Sequence, residues 1–259
     1  MSESCLRVER EGAVAIVMLD RPGKLNALTS AMLDELERLA REFDGDMHTR
    51  VVVLTGSGEK AFCVGADITR WASLGALDMW RSWTKRGHQV FDQWARLRQP
   101  VIAAINGHAF GGGLELAITA DIRIASNHAQ FALPEASIST CPGWSGSQRL
   151  VRLIGASHAK YLALSGERWS AGDARATGLL HEVVESEKLR ERVLALANSM
   201  ANKAPIALQL TKQLVNAASR EGADAALEGL AGALAATTGD AAEGIASFVE
   251  KRPAVYKGE

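Results

Sequence analysis

The chain has 259 residues, 47% of them hydrophobic and 23% charged, which is an ordinary globular composition and enough length to bury a core without disulfides. With 29 basic and 30 acidic residues the net charge is −1, so the charge balance gives no support for nucleic-acid binding. The sequence predicts a cytoplasmic protein that does not enter a membrane. It has only three scattered cysteines, no signal-peptide pattern and no apolar run of membrane-spanning length.

The first half of the chain alternates apolar runs with amphipathic segments. Val14–Leu19, Val51–Gly56 and residues 101–106 are short, nearly uninterrupted apolar runs and predict buried strands. Residues 29–43 and 76–98 carry apolar side chains at helical spacing; the first segment begins with Thr and Ser, and the second ends before a proline. We therefore expect an α/β core.

The second half becomes steadily more helical. Residues 121–126 predict a fourth strand and residues 180–184 an isolated late strand, whereas nearly everything after residue 187 is rich in helix formers. We expect an α/β core over residues 1–190 and a helical section over residues 191–259. Apolar faces left over on such helices commonly serve assembly.

One glycine motif matches a dinucleotide-binding pattern without the expected context. Gly56-x-Gly58-x-x-Ala61 follows a strand, and Asp78 stands about 20 residues further on. A dinucleotide turn opens directly into a helix, but here a further glycine-containing loop follows. We therefore do not expect NAD to bind at this turn.

Two other chemistries find little support. The stretch "GWSGS" places Ser145 in an incomplete nucleophile-elbow pattern with no apolar strand before it, so Ser145 is expected to be a helix N-cap. The six histidines do not lie at helical ligand spacing, and neither a His-Glu-x-x-His motif nor a cysteine pair occurs, so no metal site is expected.

Two glycine-containing junctions carry a stronger signal. "AFCVGAD" follows the second strand and "AFGGGLELA" the third, and each brings small residues to the point where a strand ends and a helix starts. Two bare amides that converge at such a point form an oxyanion hole. Glu115 follows the second junction among apolar residues, and Glu135 lies in a loop with two prolines. The residues alone do not decide whether these two glutamates are catalytic groups or ordinary carboxylates.

Five stretches together resemble the enoyl-CoA hydratase/isomerase (crotonase) family. In chain order they are "RPGKLNAL", "KAFCVGADI", "INGHAFGGGLELAITADIRIAS", "AQFALPEASISTCPGWSGSQRLVRLIG" and "ASFVEKRPAVYK", and they span almost the whole chain. The resemblance implies a spiral of repeated ββα units followed by a helical C-terminal trimerisation region. It also implies a homotrimer or a dimer of trimers.

The same resemblance implies roles for particular residues. The amides of Ala66 and Gly112 would form an oxyanion hole for a thioester carbonyl that becomes an enolate. Glu115 would act as base or water holder, Glu135 as proton donor, and the Gly143 amide would help to hold the water. Coenzyme A enters as part of the substrate, and neither a metal nor a tightly bound cofactor is implied.

A further set of residues is implied to contact coenzyme A or the acyl chain. The set comprises Lys24, Leu25, Ala27, Val64, Asp67, Ile68, Gly111 and Trp144, with Phe248 and Lys251 acting from a neighbouring subunit. Lys24 is equally well interpreted as a solvated loop lysine. Trp144 departs from the small residue of common hydratases and is expected to narrow the acyl pocket. At least two of Trp71, Trp80 and Trp83 are expected to serve packing instead.

Within the family that the chain resembles, the presence of both carboxylates implies syn addition of water to a trans-2-enoyl-CoA, a reaction of fatty-acid β-oxidation. We therefore expect an enoyl-CoA hydratase. The alternative within the family is an enoyl-CoA isomerase or another acyl-CoA lyase or hydrolase. Outside the family, the alternatives are an NAD oxidoreductase and a catalytically idle assembly protein.

Overall fold

The computed structural model describes residues 5–258 except residues 72, 73 and 222. The strands are β1 (Leu6–Glu11), β2 (Val14–Leu19), β3 (Val51–Gly56), β4 (Ala61–Cys63), β5 (Val101–Ile105), β6 (His108–Phe110), β7 (Ile122–Ser126), β8 (Gln130–Ala132), β9 (Trp169–Ser170) and β10 (Glu182–Val184). The helices are α1 (Ser30–Gly45), α2 (Ile68–Trp71), α3 (Ala76–Asp78), α4 (Lys85–Ala95), α5 (Gly112–Ala117), α6 (Gly146–Ser165), α7 (Ala171–Ala176), α8 (Leu189–Ala201), α9 (Pro205–Ala218), α10 (Ala223–Ala236) and α11 (Gly239–Glu250). A π-helical segment, Met79–Thr84, joins α3 to α4.

Two sheets alternate along the chain. The larger has the strand order β1-β2-β3-β5-β7-β10 and is parallel except for its edge strand β1. The smaller has the order β4-β6-β8-β9, in which only the pair formed by β9 is antiparallel. Each of β3, β5 and β7 leads into a strand of the smaller sheet, and helical segments follow each such pair. This repetition confirms the ββα spiral that the resemblance implies.

The central strands of the larger sheet are buried on both faces, because successive side chains point to opposite sides. In β2, Ala15 and Val17 join a core formed with α1, α4 and the smaller sheet. Val14 and Ile16 join a second core, which α8 completes from the other side. Burial on both faces explains the uninterrupted apolar runs in the sequence.

The chain divides into two compact units, the first ending at Gln209 and the second beginning at Leu210. The boundary expected between residues 190 and 191 lies inside the first unit, because α8 packs on the larger sheet through Leu189 and Val193. Within the second unit, Thr238 caps the start of α11 by accepting a hydrogen bond from the Ala241 amide.

The shortest elements differ from the sequence expectation. The three-residue strands β4 and β6 lie in segments expected to be loop or turn, because so few residues show no periodicity. The late strand expected in residues 180–184 is present as β10, which pairs in parallel with β7. The long helix expected over residues 76–98 ends with α4 at Ala95. None of the helices in the described ranges is both long and apolar enough to cross a membrane.

Candidate active site

Two backbone turns meet at the start of α5. Gly65 has a φ of +98° and Gly111 a φ of +50°, conformations that glycine adopts most easily. A Cβ on Gly65 would lie 3.1 Å from the Gly112 nitrogen, and one on Gly112 would lie 3.6 Å from the Ala66 nitrogen. The glycines therefore let the two turns approach until Ala66 and Gly112 line the same cavity.

Neither of these two N–H groups is used in a hydrogen bond of the surrounding secondary structure. The bridge between Leu28 and Ala66 uses the Gly65 carbonyl at 2.7 Å and the Asp67 amide at 2.8 Å, which bypasses the Ala66 N–H. Gly112 is the first residue of α5, and the first N–H groups of a helix have no partner within it. Two such donors beside one cavity are what an oxyanion hole requires, so that role stays a proposal for Ala66 and Gly112.

Glu115 lies on α5 and is only 2% exposed. Its Oε1 accepts hydrogen bonds from the Trp144 and Gly146 amides, each at 2.8 Å. Burial raises the pKa of Glu115, whereas these two amides, the Gly143 amide and the Arg149 charge act in the opposite direction. The carboxylate is therefore held in one orientation by backbone donors.

Glu135 reaches the same cavity from the 3₁₀ turn Glu135–Ile138. Among the described residues, no group donates to or accepts from its buried Oε2. Burial raises the pKa of Glu135 to about 7; its own amide opposes the rise, and the charge of Glu115 supports it. Near neutral pH, Glu135 therefore still holds a proton in a substantial fraction of molecules.

The cavity between the two glutamates has a volume of about 130 Å³ and is lined mainly by apolar groups. Besides the residues above, it is lined by Val64, Ile68, Met79, Trp83, Thr84, Pro134, Ile138, Thr140, Cys141, Gly143 and Trp144. Apolar walls with a few convergent polar groups are typical of a small-molecule site. Two carboxyl groups in different surroundings can supply both an acid and a base.

Trp144 forms a wall of this cavity and is 3% exposed. Its ring packs against Trp83 and Phe91, with centroid distances of 5.3 Å and 5.2 Å. A Cβ on Gly87 would lie 2.1 Å from the indole Nε1, and one on Gly112 would lie 2.8 Å from the indole ring. Two glycines thus make room for the indole where the sequence predicts that it narrows the pocket.

The other tryptophans of the preceding segment separate into different environments. Trp83 lines the cavity, whereas Trp80 is 66% exposed. The side chain of Trp71 lies outside those described. Sequence reasoning missed several lining residues, whose only signal was their nearness to the predicted site in the chain: Met79, Thr84, Ile138, Thr140 and Cys141.

The residues expected to follow the pantetheine path are partly at the cavity. Val64, Ile68 and Gly111 line it. Asp67 instead makes an ion pair with Arg21, at 2.7 Å. That ion pair ties the segment after the Ala66 amide to the loop that precedes α1.

The remaining expected coenzyme A contacts lie outside the cavity lining. Lys24 and Leu25 are exposed and Ala27 is buried. Phe248 and Lys251 belong to the second compact unit, where Phe248 is 86% exposed. Contacts of these five residues with coenzyme A stay predictions.

The structure also shows the surroundings of three other features: the glycine motif at Gly56, the turn at Ser145 and the side chains that could bind a metal. Strand β3 ends at Gly56 and is followed by β4 instead of a helix, so no dinucleotide turn forms there. Ser145 directly precedes α6, but its side chain makes no capping hydrogen bond to the helix. Ser145 is also not one of the described residues that line the cavity. In the described ranges, no three His, Cys, Asp or Glu side chains are grouped to hold a metal.

Comparisons with known proteins agree with this geometry. The sequence model of the enoyl-CoA hydratase/isomerase family matches residues 9–259. A short-chain-enoyl-CoA hydratase from Clostridium acetobutylicum is 39% identical over 247 residues, which cover 95% of this chain and 94% of that protein. A mitochondrial enoyl-CoA hydratase from Pongo abelii is 40% identical over 252 residues, covering 96% and 85%.

A crystal structure of an enoyl-CoA hydratase from Bacillus anthracis aligns with a TM-score of 0.80 at 37% identity. The alignment covers 98% of this chain and 100% of that one. The chain belongs to the enoyl-CoA hydratase/isomerase family.

Proposed function

We propose that this chain is an enoyl-CoA hydratase, which reversibly adds water to the double bond of a trans-2-enoyl-CoA thioester. One observation carries the proposal: Glu115 and Glu135 face a single apolar cavity beside the amides of Ala66 and Gly112. Relatives named enoyl-CoA hydratases, 39% and 40% identical over nearly the whole chain, support the same reaction.

The geometry supports the following sequence of events. The thioester carbonyl binds between the Ala66 and Gly112 amides, which stabilise the enolate oxygen as water attacks C3. Glu115 accepts a proton from that water while the C3–O bond forms, and the Gly143 amide helps to hold the water. Glu135 then donates its proton to C2, which restores the carbonyl. The pKa of about 7 makes such a proton available at Glu135 near neutral pH.

The preferred acyl group in this proposal is short. Trp144 and Trp83 wall the cavity of about 130 Å³, and one relative is named a short-chain-enoyl-CoA hydratase. Coenzyme A belongs to the substrate, and no tightly bound cofactor takes part. Its pantetheine passes Val64 and Ile68 toward the loop that carries Lys24 and Leu25.

The second compact unit serves assembly in this proposal, as a homotrimer or a dimer of trimers. Exposed apolar side chains on α11, such as Ile245 and Val249 at 69% and 72% exposure, support an interface there. Phe248 and Lys251 would then reach the coenzyme A of a neighbouring subunit. A cytoplasmic location and a role in fatty-acid β-oxidation complete the proposal.

The test is to mix the protein with crotonyl-CoA and follow loss of the conjugated thioester's ultraviolet absorbance. We expect rapid loss and a product whose mass has increased by one water. A product of unchanged mass with a moved double bond would indicate the isomerase alternative. A panel of short, branched and aromatic 2-enoyl-CoA thioesters extends the assay, and no conversion of any of them would reject the proposal.

A further inference from the structure

We infer that His88 and Asp92 of α4 are positioning residues, which hold the turn at Ser145 so that its flanking amides orient Glu115. Neither residue lines the cavity within the described part of the chain. The inference deepens the proposed function and rests on it for its kinetic test.

Side chains of α4 hold the beginning of α6 at two points. The Ser145 hydroxyl lies 2.8 Å from His88 Nδ1 and 3.3 Å from Asp92 Oδ1. Arg149, one turn into α6 and only 3% exposed, donates to the same Asp92 oxygen at 2.7 Å. A single carboxylate therefore binds both the turn and the helix that follows it.

The turn needs support because of its backbone conformation. Ser145 has a φ of +73°, in the left-handed region that costs a residue with a Cβ more than it costs glycine. Such a residue lets neighbouring amides point toward one side, which makes an anion-binding concavity. Here the amides of Trp144 and Gly146, on either side of Ser145, converge on the same oxygen of Glu115.

The choice of serine points to its hydroxyl. Glycine would adopt the left-handed conformation at lower cost but would make no contact with α4. The hydroxyl does not cap α6, and within the described residues it does not face the cavity, so it is neither a helix cap nor a nucleophile. Its hydrogen-bonding partners are on α4, which ties the orientation of Glu115 to that helix.

The decisive variants are Ser145→Gly and Ser145→Ala. If the hydroxyl positions the turn, both lower kcat for crotonyl-CoA hydration about tenfold, the effect of roughly one hydrogen bond, and change KM by less than about twofold. Ser147→Ala is the matched control, because Ser147 is an exposed serine in the first turn of the same helix. If serine served only the backbone conformation, Ser145→Gly would match or exceed the unsubstituted protein, which would overturn the inference.

A second pair of variants leaves the turn itself unchanged. The His88 side chain is 41% exposed, so its substitution does not threaten folding. In His88→Asn, the side-chain amide replaces the ring Nδ1 and keeps most of the activity, whereas His88→Leu loses about as much kcat as Ser145→Ala. Equal activity of the two His88 variants would contradict a role for this hydrogen bond.

The third measurement does not depend on catalysis. The ionisable groups nearest Glu115 are Glu135 and Arg149, and behind Arg149 lie the Asp92 carboxyl group and the His88 imidazole on α4. Ser145→Gly changes none of these charges, so it should raise the pKa of Glu115 only by weakening the two amide hydrogen bonds. Carboxyl ¹³C NMR, assigned with Glu115→Gln, measures this pKa in the ligand-free protein.

The outcomes separate the two proposals. An unsubstituted protein that hydrates no enoyl-CoA would reject the proposed function, while the NMR titration would still decide the positioning role. An active protein whose Ser145→Gly variant shows unchanged kcat and an unmoved Glu115 titration would reject the positioning role alone.

Discussion

Glu115 and Glu135 line the same cavity but are held in opposite ways. The Glu115 carboxylate accepts two backbone hydrogen bonds through one oxygen, whereas the Oε2 atom of Glu135 is buried with no partner among the described residues. Burial raises the pKa of both groups; three backbone amides and Arg149 act against the rise at Glu115, whereas at Glu135 only its own amide does.

The difference supports the proposal that the two glutamates have different roles within one cavity. Hydrogen bonds to a charged form favour that form, and burial without such bonds favours the neutral acid. The proposed roles, an oriented base at Glu115 and a proton donor at Glu135, rest on this difference. This division can be tested at each carboxylate separately.

The largest effect is expected on removing either carboxylate. Glu115→Gln and Glu135→Gln should each lower kcat by about 10² to 10⁴, the usual range for a general acid or base. The assay is crotonyl-CoA hydration, and Glu187→Gln serves as control because Glu187 is exposed in a distant 3₁₀ turn. Retention of activity by either cavity variant would remove that glutamate from the mechanism.

The next prediction displaces Glu135 without altering any charge. A Cβ on Gly111 would lie 2.7 Å from Glu135 Oε1, so Gly111→Ala should lower kcat on the order of 10²-fold by moving the proton donor. Gly12→Ala is the matched control, because Gly12 has a similar φ of +59° and nothing lies within 4 Å of its added Cβ. This account is supported if urea unfolding shows similar losses of stability in Gly111→Ala and Gly12→Ala while kcat falls only in Gly111→Ala. Equal kcat values in the two variants would contradict it.

The pH dependence should identify Glu135 as the acid. Because the proton donor must be protonated, kcat/KM for crotonyl-CoA should fall as the pH rises through about 7, approaching a tenfold loss per pH unit well above it. In Glu135→Gln the much lower residual rate should lack this limb. A limb that persists in the variant would assign it to another group.

The smallest expected effect concerns stability. Folding raises the pKa of the Glu135 carboxyl group, so protonation of this group stabilises the folded state. This stabilisation is complete when the pH is below the unfolded-state pKa of about 4.5. It is lost as the pH rises through the folded-state pKa of about 7. Relative to Glu135→Gln, the unsubstituted protein should lose on the order of 1–3 kcal/mol between pH 4.5 and pH 8. Urea unfolding at both pH values measures this difference, and a constant difference would show that burial does not raise the pKa of Glu135.

The long helices and strands and the candidate catalytic groups can be predicted from the amino-acid sequence. The apolar runs of β2, β3 and β5 and the Thr29-capped helix α1 are visible because their signals are local, in periodicity, composition and capping. The glycine junctions singled out backbone amides, and the resemblance to a family assigned roles to the two glutamates.

How these elements and groups come together depends on the tertiary fold. Strands as short as β4, β6 and β8 form because neighbouring chain segments complete their sheet, which no local pattern records. Trp144 fits against Gly87, its amide reaches Glu115 across 29 residues, and His88 reaches Ser145 across 57. Hydrogen bonds, burial and pKa shifts depend on neighbours in space, whereas periodicity records only neighbours along the chain.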